Sequence, residues 1–274
     1  MSKEMDRLIE IMVRLRDPKN GCPWDIEQDF KTIAPCTLEE AYEVVEAIEN
    51  EDHEHLREEL GDLLLQVVFH AQMAAEKGLF TIEDVAASET AKMIERHPHV
   101  FGEREANTAD DVLRNWESDK EKKRLAEAKG ADKPTGTLDG VNTALPAISR
   151  ALKLQKRAAR VGFDWKDPRD IFAKLDEEIG ELKAEMTPTP DAERLEEELG
   201  DVLFVIVNLA RRLDVDPERA LRATNRKFET RFRAIEERLA AQGQSVEAAS
   251  LETMEEIWND VKKAEKEARA RILP

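Results

Sequence analysis

Apolar residues along the chain recur three and four positions apart and rarely alternate, so the pattern reads as helices rather than strands. At about 100° per residue, Leu38, Ala41, Val44, Val45 and Ile48 gather on one side of a helix, and Glu39, Glu40 and Glu43 fill the adjacent arc. The pattern predicts helices over Met5–Arg16, Thr37–Asn50, His53–Lys77, Thr81–Arg96 and Ala109–Lys129, with Thr37 and Glu40 as a capping box. Further on it predicts Leu145–Arg160, Pro168–Glu185, Ala192–Leu213, Asp216–Gln242 and Leu251–Ala270. Aromatic residues are only 5% of the chain and no β-branched alternation is sustained, so strand signals are scarce. The expected fold class is all-α, with four or five helices per half and a four-helix-bundle core in each.

The two halves are copies. Glu39-Glu40-Ala-Tyr-Glu43 returns as Glu177-Glu178-Ile-Gly-Glu181, and Glu58-Glu59-Leu-Gly-Asp62 returns as Glu197-Glu198-Leu-Gly-Asp201. Trp24 is answered by Trp165, Lys92 and Arg96 by Lys227 and Arg231, and Trp116 and Lys120 by Trp258 and Lys262. The order is kept and the offsets stay between 135 and 142, which marks a tandem duplication. Gly130, Pro134, Gly136, Gly140 and Pro146 give the seam a linker composition. The expected division is a domain over 1–129, a linker over 130–144 and a second domain over 145–274.

The second motif of each half sits in an unusual setting. Leu60, Leu63, Leu64, Leu65, Val67, Val68 and Phe69 leave almost no polar side, and a helix apolar nearly all round is expected to be buried. Yet Glu59, Asp62 and Gln66 form one stripe on it, at i, i+3 and i+7. Glu198 and Asp201 repeat the arrangement beside Val202, Leu203, Phe204, Val205, Ile206 and Val207. Buried carboxylates must be paired or bound to metal. A structural salt bridge is the plainer reading; the same acids in the same context twice point to a shared ligand. The motifs are separated by 15 residues in the first half and 16 in the second, room for an antiparallel return that sets Glu40 and Glu43 opposite Glu59 and Asp62. Four converging carboxylates with all-oxygen ligation favour Mg²⁺, or Mn²⁺, over zinc. All five histidines lie in the first half, and no Glu-x-x-His pair of the di-iron type occurs.

Charge and composition narrow the partners. The net charge of −18 repels polyphosphate backbones, so no nucleic-acid polymer is expected as a partner. An anionic small ligand would bind through metal cations and local basic groups. Lys92/Arg96 and Lys227/Arg231 share helix faces at i, i+4, as do Trp116/Lys120 and Trp258/Lys262, a ring and an ammonium for a nucleotide. Two cysteines, Cys22 and Cys36, make neither a disulfide framework nor a four-thiolate zinc site. The longest apolar stretches, Leu63–Ala71 and Val202–Ala210, are about half the ~20 residues of a bilayer span. Met1-Ser-Lys-Glu-Met-Asp does not read as a secretion signal. A cytoplasmic protein without membrane partners is expected.

Glu-Glu-x-x-Glu followed about 16 residues later by Glu-x-x-Asp resembles the all-α nucleoside triphosphate pyrophosphohydrolases, a superfamily that includes MazG, dimeric dUTPases and phosphoribosyl-ATP pyrophosphatase. Two copies in one chain resemble the full-length, tandem-domain MazG family. So do Cys-Pro-Trp-Asp (Cys22–Asp25), Glu-Leu-Gly-Asp-Leu-Leu (Glu59–Leu64), Arg-His-Pro-His-Val-Phe (Arg96–Phe101), Val-Gly-Phe-Asp-Trp (Val161–Trp165) and Lys-Phe-Glu-x-Arg-Phe (Lys227–Phe232). The resemblance implies hydrolysis of nucleoside triphosphates to monophosphate and pyrophosphate, with tolerance of many bases and a house-cleaning role. It implies Mg²⁺ ligation by Glu40, Glu43, Glu59 and Asp62 and by Glu178, Glu181, Glu198 and Asp201. It gives Glu39 or Glu177 the task of positioning or deprotonating water, and it implies a homodimer. Lys227 and Arg231 would take up the charge of departing pyrophosphate, with Lys92 and Arg96 as their first-half counterparts. Asn225, Trp258 and Lys262 join Lys227 and Arg231 as expected substrate contacts. No Gly-x-x-x-x-Gly-Lys-Ser/Thr loop occurs, which excludes a P-loop mechanism.

The second half is the expected seat of activity, because Asn225, Arg226, Arg231 and Arg233 surround Lys227 where the first half has Thr90, Ala91, Arg96 and Pro98. The alternatives are a narrow relative, a dUTPase or a phosphoribosyl-ATP pyrophosphatase, and a non-catalytic helical adaptor that senses nucleotides.

Overall fold

The computed structural model describes residues 3–103, 108, 109, 111, 112, 115, 116 and 136–272, without the side chains of 269, 271 and 272. The chain divides into two compact units, Met1–Arg124 and Leu125–Pro274. Every regular element among the described residues is helical. Unit 1 holds α1 (Lys3–Leu15), α2 (Pro23–Glu27), α3 (Phe30–Glu49), α4 (His53–Glu76), α5 (Ile82–Arg96) and α6 (Pro98–Phe101). Unit 2 holds α7 (Ala147–Arg160), α8 (Asp170–Glu185), α9 (Ala192–Arg212), α10 (Pro217–Ala241), a 3₁₀ turn (Val246–Ala248) and α11 (Leu251–Ile272). The protein is all-α, a duplicated pair of helical domains. The expected helix over Ala109–Lys129 falls largely outside the described residues, as do Lys120 and the first part of the expected linker.

Each half is built on one helical hairpin: α3 packs on α4, and α8 on α9. Their second helices start from equivalent caps. Asp52 accepts from the backbone N–H groups of Glu54 and His55, and Asp191 from those of Glu193 and Arg194. A cap fixes where a helix begins. Glu59 and Asp62 therefore fall at the same turns of α4 as Glu198 and Asp201 of α9. In unit 1, α1 also lies on α4, and Met12, Ile33, Val68, Phe69 and Met73 form the core between α1, α3 and α4. In unit 2, α7 takes the corresponding place on α9. A separate core of Ile235, Leu239 and Ile257 joins α10 to α11.

Two expectations are corrected. Thr37 does not cap a helix. α3 starts at Phe30, where Asp29 accepts from Lys31 and Thr32 N–H while the Thr32 hydroxyl accepts from Asp29 N–H at 2.8 Å. That earlier reciprocal box nucleates the helix first, and Pro35 forfeits only one helical bond near its start. Thr37 lies inside α3, where its hydroxyl meets Ile33 C=O and, at 3.0 Å, His70 Nε2. The second correction concerns α4, which is not buried all round. Val68 and Phe69 are buried, but Leu60, Leu64 and Val67 are exposed, and their counterparts Leu199, Leu203 and Ile206 on α9 are exposed as well. One hairpin covers one side of each helix, and a stripe at i, i+4 and i+7 faces outward. The short helices α2 and α6, each opened by a proline, were not legible in the periodicity.

Arg16 ties the start of unit 1 to α4. Its Nε and Nη2 donate to the two carboxylate oxygens of Glu76 at 2.8 and 2.7 Å, its Nη1 donates to the Asp25 and Gln28 carbonyls, and the guanidinium lies 5.4 Å from the Phe69 ring centroid. Those donors hold the Glu76 carboxyl below the usual carboxylate range. A lowered carboxylate contributes stability above its unfolded pKa and loses it as the pH falls through its folded one. Arg16→Leu is expected to destabilise the protein by about 2 kcal/mol at neutral pH. In denaturant titrations the deficit should shrink as the pH falls below the carboxylate range, and Arg16→Lys should not restore the bidentate contact.

Candidate functional site

The hairpins bring the acidic residues together twice. In unit 1, one carboxylate oxygen from each of Glu40, Glu43 and Glu59 lies within 4.8 Å of the other two. Asp62 completes this nest from α4, close enough to raise the Glu40 carboxyl. In unit 2, Glu178, Glu198 and Asp201 meet within the same limit, and Glu181 joins them through a hydrogen bond shared with Glu178. Glu59, Glu178 and Glu198 are 8%, 5% and 7% exposed, which is uncommon for carboxylates. Glu39 and Glu177 lie on the exposed rims of their nests.

Electrostatics show how poorly the acids tolerate one another. Burial first, then the charges of Asp62, Glu43 and Glu59, push the Glu40 carboxyl above the usual range. The hydrogen bond with Glu178 does the same to Glu181, helped by burial and by the charges of Glu178 and Glu198, while Lys174 opposes it. Like charges in one site cannot all ionise freely. An all-oxygen donor set with excess negative charge is what a hard divalent cation requires. The residues present therefore fit such a cation in both units.

Cations of the chain itself already touch the nests, and the motif pattern did not single them out. Lys174 Nζ lies 2.7 Å from Glu178 and 2.8 Å from Glu177, and Arg194 reaches Glu198 at 3.5 Å and Glu185 at 3.1 Å. In unit 1 the equivalent of Arg194 is His55, whose Nε2 lies 2.7 Å from Glu59. The equivalent of Lys174 is Cys36. The signal was available: Lys174, Arg194 and His55 each stand four residues before a nest glutamate, on the same helix face. Gln66, on the expected stripe, is buried at 7% exposure and points its Nε2 to Glu40 Oε1 at 3.4 Å.

The other expected site residues lie on different elements. Asn225 and Lys227 are exposed on α10, and Lys262 is exposed on α11. Arg231 is buried between these helices; its Nη2 donates to Glu265 at 2.7 Å and its guanidinium lies 5.1 Å from the Trp258 ring centroid. Phe228 stands beside the same ring at 5.6 Å. In unit 1, Lys92 pairs with Glu89, and the Arg96 carbonyl accepts from Trp116 Nε1 at 2.7 Å. Arg231 and Lys92 thus have carboxylate partners outside the nests.

A family model described as the MazG nucleotide pyrophosphohydrolase domain matches the chain twice, over residues 28–101 and 166–235, each span holding one nest. The chain is 50% identical over 263 residues to a protein of Escherichia coli (strain K12) named nucleoside triphosphate pyrophosphohydrolase, covering 96% of this chain and 98% of that one. It is 44% identical over 257 residues to a protein of Thermotoga maritima named nucleoside triphosphate pyrophosphohydrolase/pyrophosphatase MazG, covering 94% and 95%. At 44% identity it also spans 52% of the Bacillus subtilis protein YabN.

A carboxylate whose pKa is raised on folding favours the folded state below its unfolded pKa and subtracts stability once the pH rises through the folded value. Glu40→Gln should therefore raise the Tm of the metal-free protein at neutral pH. The gain should vanish in mild acid, and added Mg²⁺ should raise the Tm of the variant less than that of the parent. Calorimetric scans at the two pH values, with and without Mg²⁺, provide the check.

Proposed function

The chain belongs to the MazG nucleotide pyrophosphohydrolase family, and on that premise we propose that its acidic nests hold Mg²⁺ and that the unit 2 nest carries most of the turnover. The protein is a hydrolase of nucleoside triphosphates, cutting the phosphoanhydride bond that releases pyrophosphate and leaves the monophosphate. What supports the metal reading is the repeat itself: the same four acids, crowded into two hairpins, raise one another's carboxyl pKa in both copies.

Glu178, Glu181, Glu198 and Asp201 would hold the cations of the working site, and Glu40, Glu43, Glu59 and Asp62 those of the other. When bound, such cations supply Lewis acidity, polarising phosphoryl oxygens and making a nearby water more acidic. The chain's own groups do the rest. Glu177, exposed beside Glu178, accepts the proton of the attacking water. Lys174 and Arg194, resting on nest carboxylates, are placed to meet phosphate oxygens once those carboxylates are otherwise engaged. Lys227 takes up charge on the departing pyrophosphate, and Arg231 joins it when its pair with Glu265 opens. Asn225, Trp258 and Lys262 contact the nucleotide. Ring stacking with few base-edge contacts admits many bases, as a house-cleaning role requires.

The asymmetry rests on cations. Unit 2 has Lys174 and Arg194 at its nest, where unit 1 has Cys36 and His55. The outward stripes Leu60/Leu64/Val67 and Leu199/Leu203/Ile206 flank the nests and support a homodimer that covers them. No described helix is long and apolar enough to cross a membrane. We place the enzyme in the cytoplasm, with nucleoside triphosphates rather than nucleic-acid polymers as its partners. The domain limits we retain are 1–129 and 145–274.

Glu178→Ala is expected to abolish most turnover while Glu40→Ala leaves much of it, measured as pyrophosphate release across the eight common nucleoside triphosphates with and without Mg²⁺. Equal losses from the two variants would reject the asymmetry. Turnover confined to one base would replace broad tolerance with a narrow specificity, and Mg²⁺-independent turnover would remove the metal from the account.

A further inference from the structure

The two nests differ at one buried position. Gln66 stands one turn beyond Asp62 on the face of α4 that carries Glu59, and its residue is 7% exposed. Its Nε2 reaches Glu40 Oε1 at 3.4 Å, while its Oε1 is shielded from solvent and has no hydrogen-bond partner. At the equivalent place in α9, 139 residues on, the duplicated copy has Val205, also buried. The hairpin therefore packs without an amide there. Leaving a carbonyl oxygen orphaned inside unit 1 is costly, and this one belongs to a side chain aimed at the acids. A terminal amide turns over readily, its torsion being broad and two-fold, so either end of Gln66 can face the nest.

We propose that Gln66 is a direct oxygen ligand of a divalent cation in the unit 1 nest, which makes that nest a five-residue cage and a holding site rather than a hydrolytic one. This rests on the reading of the nest as a cation centre given above. A neutral amide adds a donor without adding to the repulsion that already lifts Glu40. Unit 1 also has Cys36 where unit 2 has Lys174, so compensation of its acids falls more heavily on the bound ion. Mg²⁺ and Mn²⁺ take about six ligands, and hydrolytic sites keep several positions for water and phosphate. Each position filled by protein is one fewer for a triphosphate. In unit 2, Val205 leaves that position open.

The test uses the full chain carrying Glu178→Gln and Glu198→Gln to silence the unit 2 nest, titrated with Mn²⁺ and no nucleotide. Calorimetry should count about one ion per chain. Gln66→Val should weaken it by at least about tenfold, the scale on which lost support costs a metal site. Water-proton relaxation should show one more water on the bound Mn²⁺. Gln66→Glu, which keeps an oxygen at the same reach, should retain the ion, and this separates ligation from a packing defect. The reciprocal Val205→Gln, with unit 1 silenced by Glu40→Gln and Glu59→Gln, should tighten Mn²⁺ in unit 2. Unchanged affinity and water count in Gln66→Val would overturn the role of Gln66 and leave the cation centre standing. Absence of any bound ion in the parent with unit 2 silenced would overturn both.

Discussion

Mutual repulsion among carboxylates packed into a helical hairpin is the constraint on which this structure turns. Each hairpin brings four acids close and partly out of water, and Glu40 and Glu181 answer by holding protons more tightly than ordinary glutamates do. A sequence under selection for stability alone would not keep such groups on a helix face otherwise filled with Leu, Val and Phe. The apolar packing of α3 on α4 and of α8 on α9 provides the energy that keeps the acids converged. The repulsion is the source of affinity for a cation, because binding relieves it.

Because the halves are copies, each is a control for the other. The acids and the capping aspartates are the same in both. The compensating groups are not: Lys174 and Arg194 rest on the unit 2 nest, while the unit 1 nest has His55 and Gln66. Permanent cations suit a site that must also receive a highly anionic chain. A neutral imidazole and an amide suit one that holds an ion and little else. Duplication thus allows one metal geometry to serve two purposes, with the difference written in residues one helical turn away from the ligands.

Much of this was legible in the sequence. The helices, the duplication and the eight acids follow from periodicity and spacing, since carboxylates at i, i+3 on an apolar helix can only converge on a neighbour. The family resemblance resided in the same residues, and the two matched domains enclose them. Other features were hidden for physical reasons. Thr37 and Glu40 have the spacing of a cap, but Asp29 and Thr32 close a box seven residues earlier, and local pattern cannot rank two competing caps. The uniformly apolar face of α4 reads as burial, yet one hairpin shields only part of it and leaves Leu60, Leu64 and Val67 outside. Arg231 has the spacing of a phosphate ligand, but its pairing with Glu265 crosses 34 residues between two helices and no helical rule anticipates it.

The central claim is that the converged acids are cation centres, and anomalous diffraction tests it most directly. Crystals of the full chain grown with Mn²⁺ and a triphosphate analogue with a methylene bridge between the α and β phosphorus atoms should show anomalous peaks in both nests. In unit 2 the peaks should lie among Glu178, Glu181, Glu198 and Asp201, with phosphate oxygens completing the coordination. Carboxylates turned to solvent, with no peak among them in either unit, would contradict the account.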